Sequence, residues 1–83
     1  MKCLYIVSFK DKETYFLDVE KATTYFKKLI YSDIENISVK YRNKNLKGEL
    51  NNFILDLKNQ RRTNIVITPN IFIIKVLLGD NFE

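Results

Sequence analysis

The apolar pattern of the first third of the chain predicts a β-hairpin followed by a helix. Cys3–Phe9 is rich in the β-branched and aromatic residues that favour strands, and Thr14–Leu17 reads as its partner across a polar loop of about four residues. Asp18 then stands as a good N-cap before a helix predicted over 19–31. The apolar residues of that helix share one face: Val19, Ala22, Phe26, Leu29 and Ile30.

The middle of the chain predicts a strand and a second helix. Ile37, Val39 and Tyr41 alternate with polar residues, as in a strand with one buried face and one wet face. Apolar residues recur at helical spacing over 47–60, which predicts an amphipathic helix. A competing interpretation makes 45–48 a short strand and starts the helix later.

The last apolar run predicts one strand and leaves a second segment open. A strand is expected at 64–68, with Ile65, Val66 and Ile67 buried on both faces. Pro69 and Asn70 suit a turn that leads into a final strand over 71–78, although Thr68-Pro69 also suits a helix start. We favour the strand, because a helix over 71–78 would be apolar on nearly every side.

Together these elements predict an α+β fold with the order ββαβαβ(β). We expect a mixed or antiparallel sheet of four or five strands with two helices on one face, and residues 1–83 forming a single domain. Folding is expected to consume nearly all of the apolar and aromatic side chains. If the last strand lies at a sheet edge, a homodimer through that edge is a further hypothesis.

The composition argues against most catalytic devices. The chain has no histidine, one cysteine and two glycines, so it lacks the usual general base, a pair of zinc-binding thiols and a glycine-rich phosphate loop. We therefore expect a non-enzymatic protein without metal or other cofactor. Cys3 is expected to be a small apolar residue inside the first strand. The longest apolar runs are too short for a membrane span, and a cytoplasmic location is expected.

A basic segment is the strongest functional signal in the sequence. Seven cations against two carboxylates give 40–62 a net charge of +5, while the whole chain carries +4. The candidate binding residues are Lys40, Arg42, Lys44, Lys47, Lys58, Arg61 and Arg62, with Tyr41 as an aromatic neighbour. The segment is either a solvated surface or a site for an anionic partner, such as a nucleic acid or an acidic protein patch.

The beginning of the chain resembles small accessory proteins of phages and mobile elements in low-GC Firmicutes. The similarity covers the first thirty residues or so: the strand at 3–9, a short charged turn, Thr14-Tyr15-Phe16-Leu17-Asp18 and the helix that starts at Val19. Some anti-CRISPR proteins belong to this class; they are single small domains that inhibit a nuclease by occluding it. The resemblance carries over no functional residues. Since this chain is basic, it implies contact with an acidic protein surface or a guide RNA rather than DNA mimicry.

Two functions are therefore expected. The first is a phage-derived binding protein that inhibits or modulates a host protein, such as a defence nuclease, by occlusion. The second is a nucleic-acid-binding module that uses the basic segment. For the first function the expected partner is a protein with an acidic surface or a ribonucleoprotein, and for the second it is a nucleic acid. A second copy of the chain is a further candidate partner, and no association with a membrane is expected.

Overall fold

A four-stranded antiparallel sheet and three helices make up the described part of the chain, residues 2–40 and 46–78 of the computed structural model. This confirms the α+β class. The elements are β1 (Cys3–Phe9), β2 (Lys12–Phe16), α1 (Val19–Ser32), α2 (Ile34–Lys40), α3 (Leu46–Lys58), β3 (Asn64–Thr68) and β4 (Ile71–Leu77). Their order is ββαααββ: the strand predicted at 37–42 is wrong for 37–40, which are helical, and 41–42 lie outside the described residues.

A two-residue turn joins β1 to β2, where a loop of about four residues was predicted. Lys10 and Asp11 both have positive φ, 51° and 68°, as in the type I′ turns that match the twist of a hairpin. Glycine or asparagine usually marks such a turn, and neither is present here. The second strand therefore starts at Lys12, two residues earlier than the sequence pattern indicated.

The sheet order is β2-β1-β4-β3, so the last strand is central. The strand predicted over 71–78 is confirmed, with a turn at Pro69 and Asn70 before it. Because β4 is hydrogen-bonded on both sides, a homodimer through its edge is ruled out. The Lys10 N–H donates to the Asn70 carbonyl at 2.8 Å and ties the two turns together at one end of the sheet.

Helix α1 confirms the most secure prediction from the sequence. The Asp18 carboxylate accepts hydrogen bonds from the Glu20 and Lys21 amides at 2.8 and 3.4 Å, which stabilises the first turn. Buried Thr23 satisfies its hydroxyl by donating to the Val19 carbonyl at 2.8 Å. The apolar stripe of α1, which includes Phe26 and other fully buried residues, packs on the sheet.

Helix α2 ends at Lys40 and overlaps the first four residues of the strand that was predicted from alternation at 37–42. Asp33 ends α1 and begins α2: its N–H donates to the Ile30 carbonyl, while its own carbonyl accepts from Asn36 and Ile37 at 3.1 and 3.2 Å. Its carboxylate also accepts from the Asn36 side chain at 2.7 Å. Ile34 and Ile37 fit a helical repeat as well as they fit alternation, so the pattern could not separate the two structures.

Helix α3 confirms the second predicted helix, at Leu46–Lys58. The alternative short strand is excluded for 46–48, which are helical, and residue 45 lies outside the described residues. The helix ends in a Schellman motif: the Arg61 N–H donates to the Asp56 carbonyl at 2.8 Å and the Gln60 N–H to the Leu57 carbonyl at 3.4 Å. Gln60 takes the left-handed position of this motif, with φ 65°.

The core lies between the helices and one face of the sheet. The covered face of the sheet carries Tyr5, Val7, Ile65 and other buried residues, and the helices contribute Phe26, Leu50 and further apolar side chains. Lys75 is a charged residue on this covered face, only 8% exposed. Its ammonium donates to the side-chain oxygen of Gln60, so the left-handed helix end supplies a partner for the buried charge.

Candidate functional site

The face of the sheet opposite the helices is apolar and uncovered in the described part of the chain. The strand registers align its side chains in rows that run across the four strands. One row is Tyr15, Ile6, Ile74 and Asn64; the next is Glu13, Ser8, Phe72 and Val66; and Leu4 pairs with Val76 beyond them. We call these ten residues the open face.

The open face departs from the usual pattern of a two-layer protein. An antiparallel sheet with helices on one side normally presents polar side chains to water on the other. Here seven of the ten side chains are apolar or aromatic, and Glu13 is the single charged member. Tyr15 is 59% exposed and Val66 53% exposed, and Ile74 and Val76 are also exposed.

Two expectations from the sequence are wrong at this surface. Val66 is exposed, whereas it was expected to be buried with Ile65 and Ile67, which are indeed buried. More broadly, folding does not consume nearly all of the apolar side chains. The physical reason is that all the described helices lie between β2 and β3 in the chain and pack on one side of the sheet. Within residues 2–40 and 46–78, no element covers the other side.

The size of the open face is that of a functional patch. Four strands about 4.8 Å apart and about five residues long cover roughly 300 Å² in projection. Contiguous apolar patches of about 300–600 Å² are the largest on typical monomers and are often functional. A standard protein interface buries about 800 Å² on each partner, so the open face could form the apolar centre of one but not its polar rim.

A groove follows α1 on the helix side of the sheet, beside Phe16 at the end of β2. It has a volume of about 470 Å³, and Phe16 and Tyr25 form its apolar floor with ring centroids 5.4 Å apart. Lys21 and Lys28 flank it. Glu20 also lines the groove, but its carboxylate pairs with the Lys58 ammonium at 2.9 Å.

A second cavity, of about 420 Å³, lies at the far end of β1 from the hairpin turn. Cys3, Tyr5 and Gln60 line it, together with Lys2, Leu17 and Val19. Burial raises the pKa of the Tyr5 hydroxyl above its ordinary value, and the neighbouring Cys3 thiol adds to this effect. Cys3 lies half-buried in β1, as expected. These side chains do not include a base beside a nucleophile.

The predicted basic site is only partly described, and its described members lie at the two ends of α3. Lys47 lies in the first turn of α3 and Lys58 in the last, which places them about 16 Å apart along the helix axis. Arg42, Lys44 and Tyr41 lie outside the described residues, as does the side chain of Lys40.

Two of the basic residues have contacts within the protein. Lys58 pairs with Glu20, and the Arg62 guanidinium lies 4.4 Å from the centre of the Phe53 ring and donates to the Asn64 carbonyl at 3.4 Å. Lys47 and Arg61 are exposed. Lys47 thus stands at the start of α3, whereas Lys58, Arg61 and Arg62 lie at its end and directly after it.

The sequence signal for the open face is the presence of apolar residues on both faces of β1 and β4. Leu4 and Ile6 alternate with Tyr5 and Val7 in β1, and Phe72, Ile74 and Val76 alternate with Ile71 and Ile73 in β4. Strands that are apolar on both faces require either a second layer or a partner. Since every helix was predicted on one face, the same reasoning would have left the other face bare.

Comparisons with protein-family models, with curated proteins and with solved structures found no match to this chain. Within residues 2–40 and 46–78, no helix is both long and apolar enough to cross a membrane. In the same ranges, no three acidic or cysteine side chains are grouped closely enough to hold a metal ion.

Proposed function

We propose that this protein is a non-enzymatic binding protein that covers part of the surface of another protein through its open face. The observation that carries the proposal is the apolar row at the centre of that face, where half-buried Ile6 stands beside exposed Ile74 and Tyr15. Burying apolar area is the main favourable term in most protein associations. The partner would present a flat apolar surface of similar size.

The finer identity of the partner rests on the sequence alone. The resemblance of the first thirty residues to phage and mobile-element accessory proteins supports a host protein as the target, and a defence nuclease in particular. Occlusion is the mode of inhibition that needs no catalytic group on the inhibitor. We place the action in the cytoplasm of the host cell, where such a nuclease would work.

The test compares two substitutions that add the same charge at equally exposed apolar positions. Val66 on the open face is 53% exposed and Leu55 on the outside of α3 is 55% exposed. Immobilised wild-type protein should recover one dominant partner from a low-GC host lysate. Purified partner should then bind Leu55→Glu like the wild type and bind Val66→Glu at least ~30-fold more weakly, because an unpaired charge and lost apolar burial cost about 2 kcal/mol or more.

Two outcomes would contradict this proposal. One is equal affinity of the partner for the Val66→Glu and Leu55→Glu proteins, which would place the contact elsewhere. The other is a stable dimer of the wild-type protein that dissociates in Val66→Glu but not in Leu55→Glu. In that case a second copy would occupy the open face, and sedimentation at several concentrations would show it.

Nucleic-acid binding by the basic segment is the second candidate function. The exposed side chains of Lys47 and Arg61 support it. Because phosphate contacts release counterions, affinity should fall steeply between two salt concentrations in a gel-shift assay. The Arg61→Glu, Arg62→Glu double variant should weaken binding of all sequences alike, and unchanged affinity would eliminate this site.

A further inference from the structure

The two edges of the sheet differ in whether they are open to another strand. Edge β3 has a register irregularity between Val66 and Thr68, and Pro69 follows it. The Arg62 guanidinium also donates to the Asn64 carbonyl on this edge. Bulges and prolines are the usual means of blocking strand addition, so β3 is a protected edge. Edge β2 has neither a bulge nor a proline.

The hydrogen-bond parity of the sheet shows which backbone groups of β2 point outward. Lys10 donates to the Asn70 carbonyl and Leu78 to the Lys2 carbonyl, so β1 bonds to β4 through its even-numbered residues. The odd-numbered residues of β1 therefore bond to β2. Their partners in β2 are Lys12, Thr14 and Phe16, so the amides and carbonyls of these three residues point toward β1. Glu13 and Tyr15 alternate with these residues, so their amides and carbonyls point outward from the free edge of β2, in the direction that a further strand would occupy.

The groove beside this edge defines what an added strand would carry. A strand paired with β2 would place every second side chain on the helix side, over Phe16 and Tyr25. Lys21 and Lys28 stand about 10.5 Å apart along α1, at either end of the groove. Within the described residues, neither ammonium lies within 4 Å of a carboxylate. The flanking charge of the groove is therefore positive.

We propose that β2 accepts an extended peptide segment of a partner protein as a fifth strand, with an aromatic or large apolar side chain in the groove and an acidic side chain on each side of it. The backbone of Glu13 and Tyr15 supplies the pairing, and Lys21 and Lys28 select the acidic residues. Carboxylates four residues apart in a strand are separated by about 13 Å, within the reach of two lysines at this spacing. Glu13 and Tyr15 belong to both surfaces, but the added strand would use their backbone and the groove on the helix side, whereas the open face uses their side chains on the other side. The peptide test below and the Val66→Glu test therefore decide the two proposals separately.

The probe is a synthetic peptide, acetyl-Thr-Glu-Thr-Phe-Thr-Glu-Thr-amide, which places Phe and both Glu side chains on one face of a strand. Titrated into ¹⁵N-labelled protein, it should shift the amide signals of β2 and α1, with a dissociation constant on the order of 100 µM. A control peptide with Lys in place of both Glu residues should bind at least ~10-fold more weakly. Absence of binding up to ~1 mM by the first peptide, or shifts centred on β3 and β4, would overturn the proposal.

Matched variants separate the backbone contribution from that of the side chain. Tyr15→Pro and Tyr15→Ala both remove the ring, but only proline removes the outward N–H, and an edge strand tolerates proline on that side. The Pro variant should bind the peptide about tenfold more weakly than the Ala variant. Equal affinity would refute strand addition. If Tyr15→Pro does not fold, the probe peptide N-methylated at alternate amides tests the same contact on the wild-type protein and should not bind.

The charge contribution is tested on the helix. Lys21→Glu with Lys28→Glu should abolish measurable binding of the acidic peptide, whereas Lys27→Glu, on the same helix but outside the groove, should weaken it less than threefold. Equal effects of the two would mean that net charge rather than the groove attracts the peptide. Concentration-dependent shifts in β2 without peptide would also refute the proposal, because a second copy would then occupy the edge.

Discussion

The Gln60–Lys75 contact yields the sharpest prediction, because two opposing terms act at one residue. Gln60 occupies the left-handed position of the α3 cap, with φ 65°. Glycine adopts this conformation without the strain of about 1 kcal/mol that a residue with a Cβ atom has there. About half of that gain in folding free energy is lost, because glycine also gives the unfolded chain more conformational freedom. Gln60→Gly would therefore stabilise the protein by about 0.5 kcal/mol if backbone conformation were the only difference.

The side chain of Gln60 outweighs that gain. It accepts the hydrogen bond of the ammonium of Lys75, a residue that is 8% exposed. A hydrogen bond to a charged group contributes about 1.5–3 kcal/mol, and losing it leaves a buried charge without this acceptor. We therefore expect Gln60→Gly to lower the free energy of unfolding by about 1–2.5 kcal/mol, the difference between these two terms.

The control is the same substitution at a position with no buried partner. Asp11 in the hairpin turn has φ 68° and is exposed, so Asp11→Gly should stabilise by about 0.5 kcal/mol. In a Lys75→Met protein, Gln60→Gly should become stabilising by a similar amount, since no charge then needs the amide. The two substitutions should thus couple by about 1.5–3 kcal/mol in a double-mutant cycle.

Urea denaturation followed by far-ultraviolet circular dichroism measures all of these proteins, and each kcal/mol corresponds to about 4–8 °C in Tm for a domain of this size. The reasoning fails if Gln60→Gly alone raises the stability. It fails equally if the effects of Gln60→Gly and Lys75→Met are additive, because the contact would then contribute nothing.

Three further predictions concern single residues. Asp18→Ala should lower the free energy of unfolding by about 1 kcal/mol through loss of the α1 cap, and Asp18→Asn by less, as measured in urea. Phe26→Ala should cost about 3–5 kcal/mol, since the ring is fully buried, and a loss under 1 kcal/mol would contradict its place in the core. Burial raises the pKa of Tyr5, so as the pH rises through about 10, the ordinary pKa of tyrosine, the hydroxyl ionises more readily in the unfolded chain than in the folded one, and the free energy of unfolding falls. In a denaturation series between pH 9 and 11, Tyr5→Phe should therefore lose less stability than the wild type.

Prediction from sequence succeeded where neighbouring residues carry a consistent pattern over several turns of an element. Asp18 and the apolar stripe of α1 fixed that helix, since a cap and several turns of periodicity leave little room for another structure. The alternation of Tyr5 and Val7 with Leu4 and Ile6 sorts the side chains of β1 onto two faces, but only the structure shows that Tyr5 and Val7 face the core. Prediction failed at α2, whose seven residues are too few to separate a period of 2 from one of 3.6, and at the Lys10–Asp11 turn, where residues without a turn signature take positive φ.

The candidate sites show the same division. The basic residues could be found in the sequence because charge is a property of single residues, but α3 holds Lys47 and Lys58 at opposite ends, which only the helix geometry reveals. Neither the groove between Phe16 and Tyr25 nor the outward backbone groups of Tyr15 has a marker in the sequence. Both arise from the pairing of β2 with β1 and from the position of α1 beside that edge.

By itself the sequence determined that this chain is an α+β protein with strands at both ends, because alternation and capping act over a few neighbouring residues. Only the tertiary structure decided that Lys75 is inside and Val66, Ile74 and Val76 are outside. Those strands are apolar on both faces, so their pattern does not choose which face is covered. The choice follows from the packing of all the described helices on one side of the sheet.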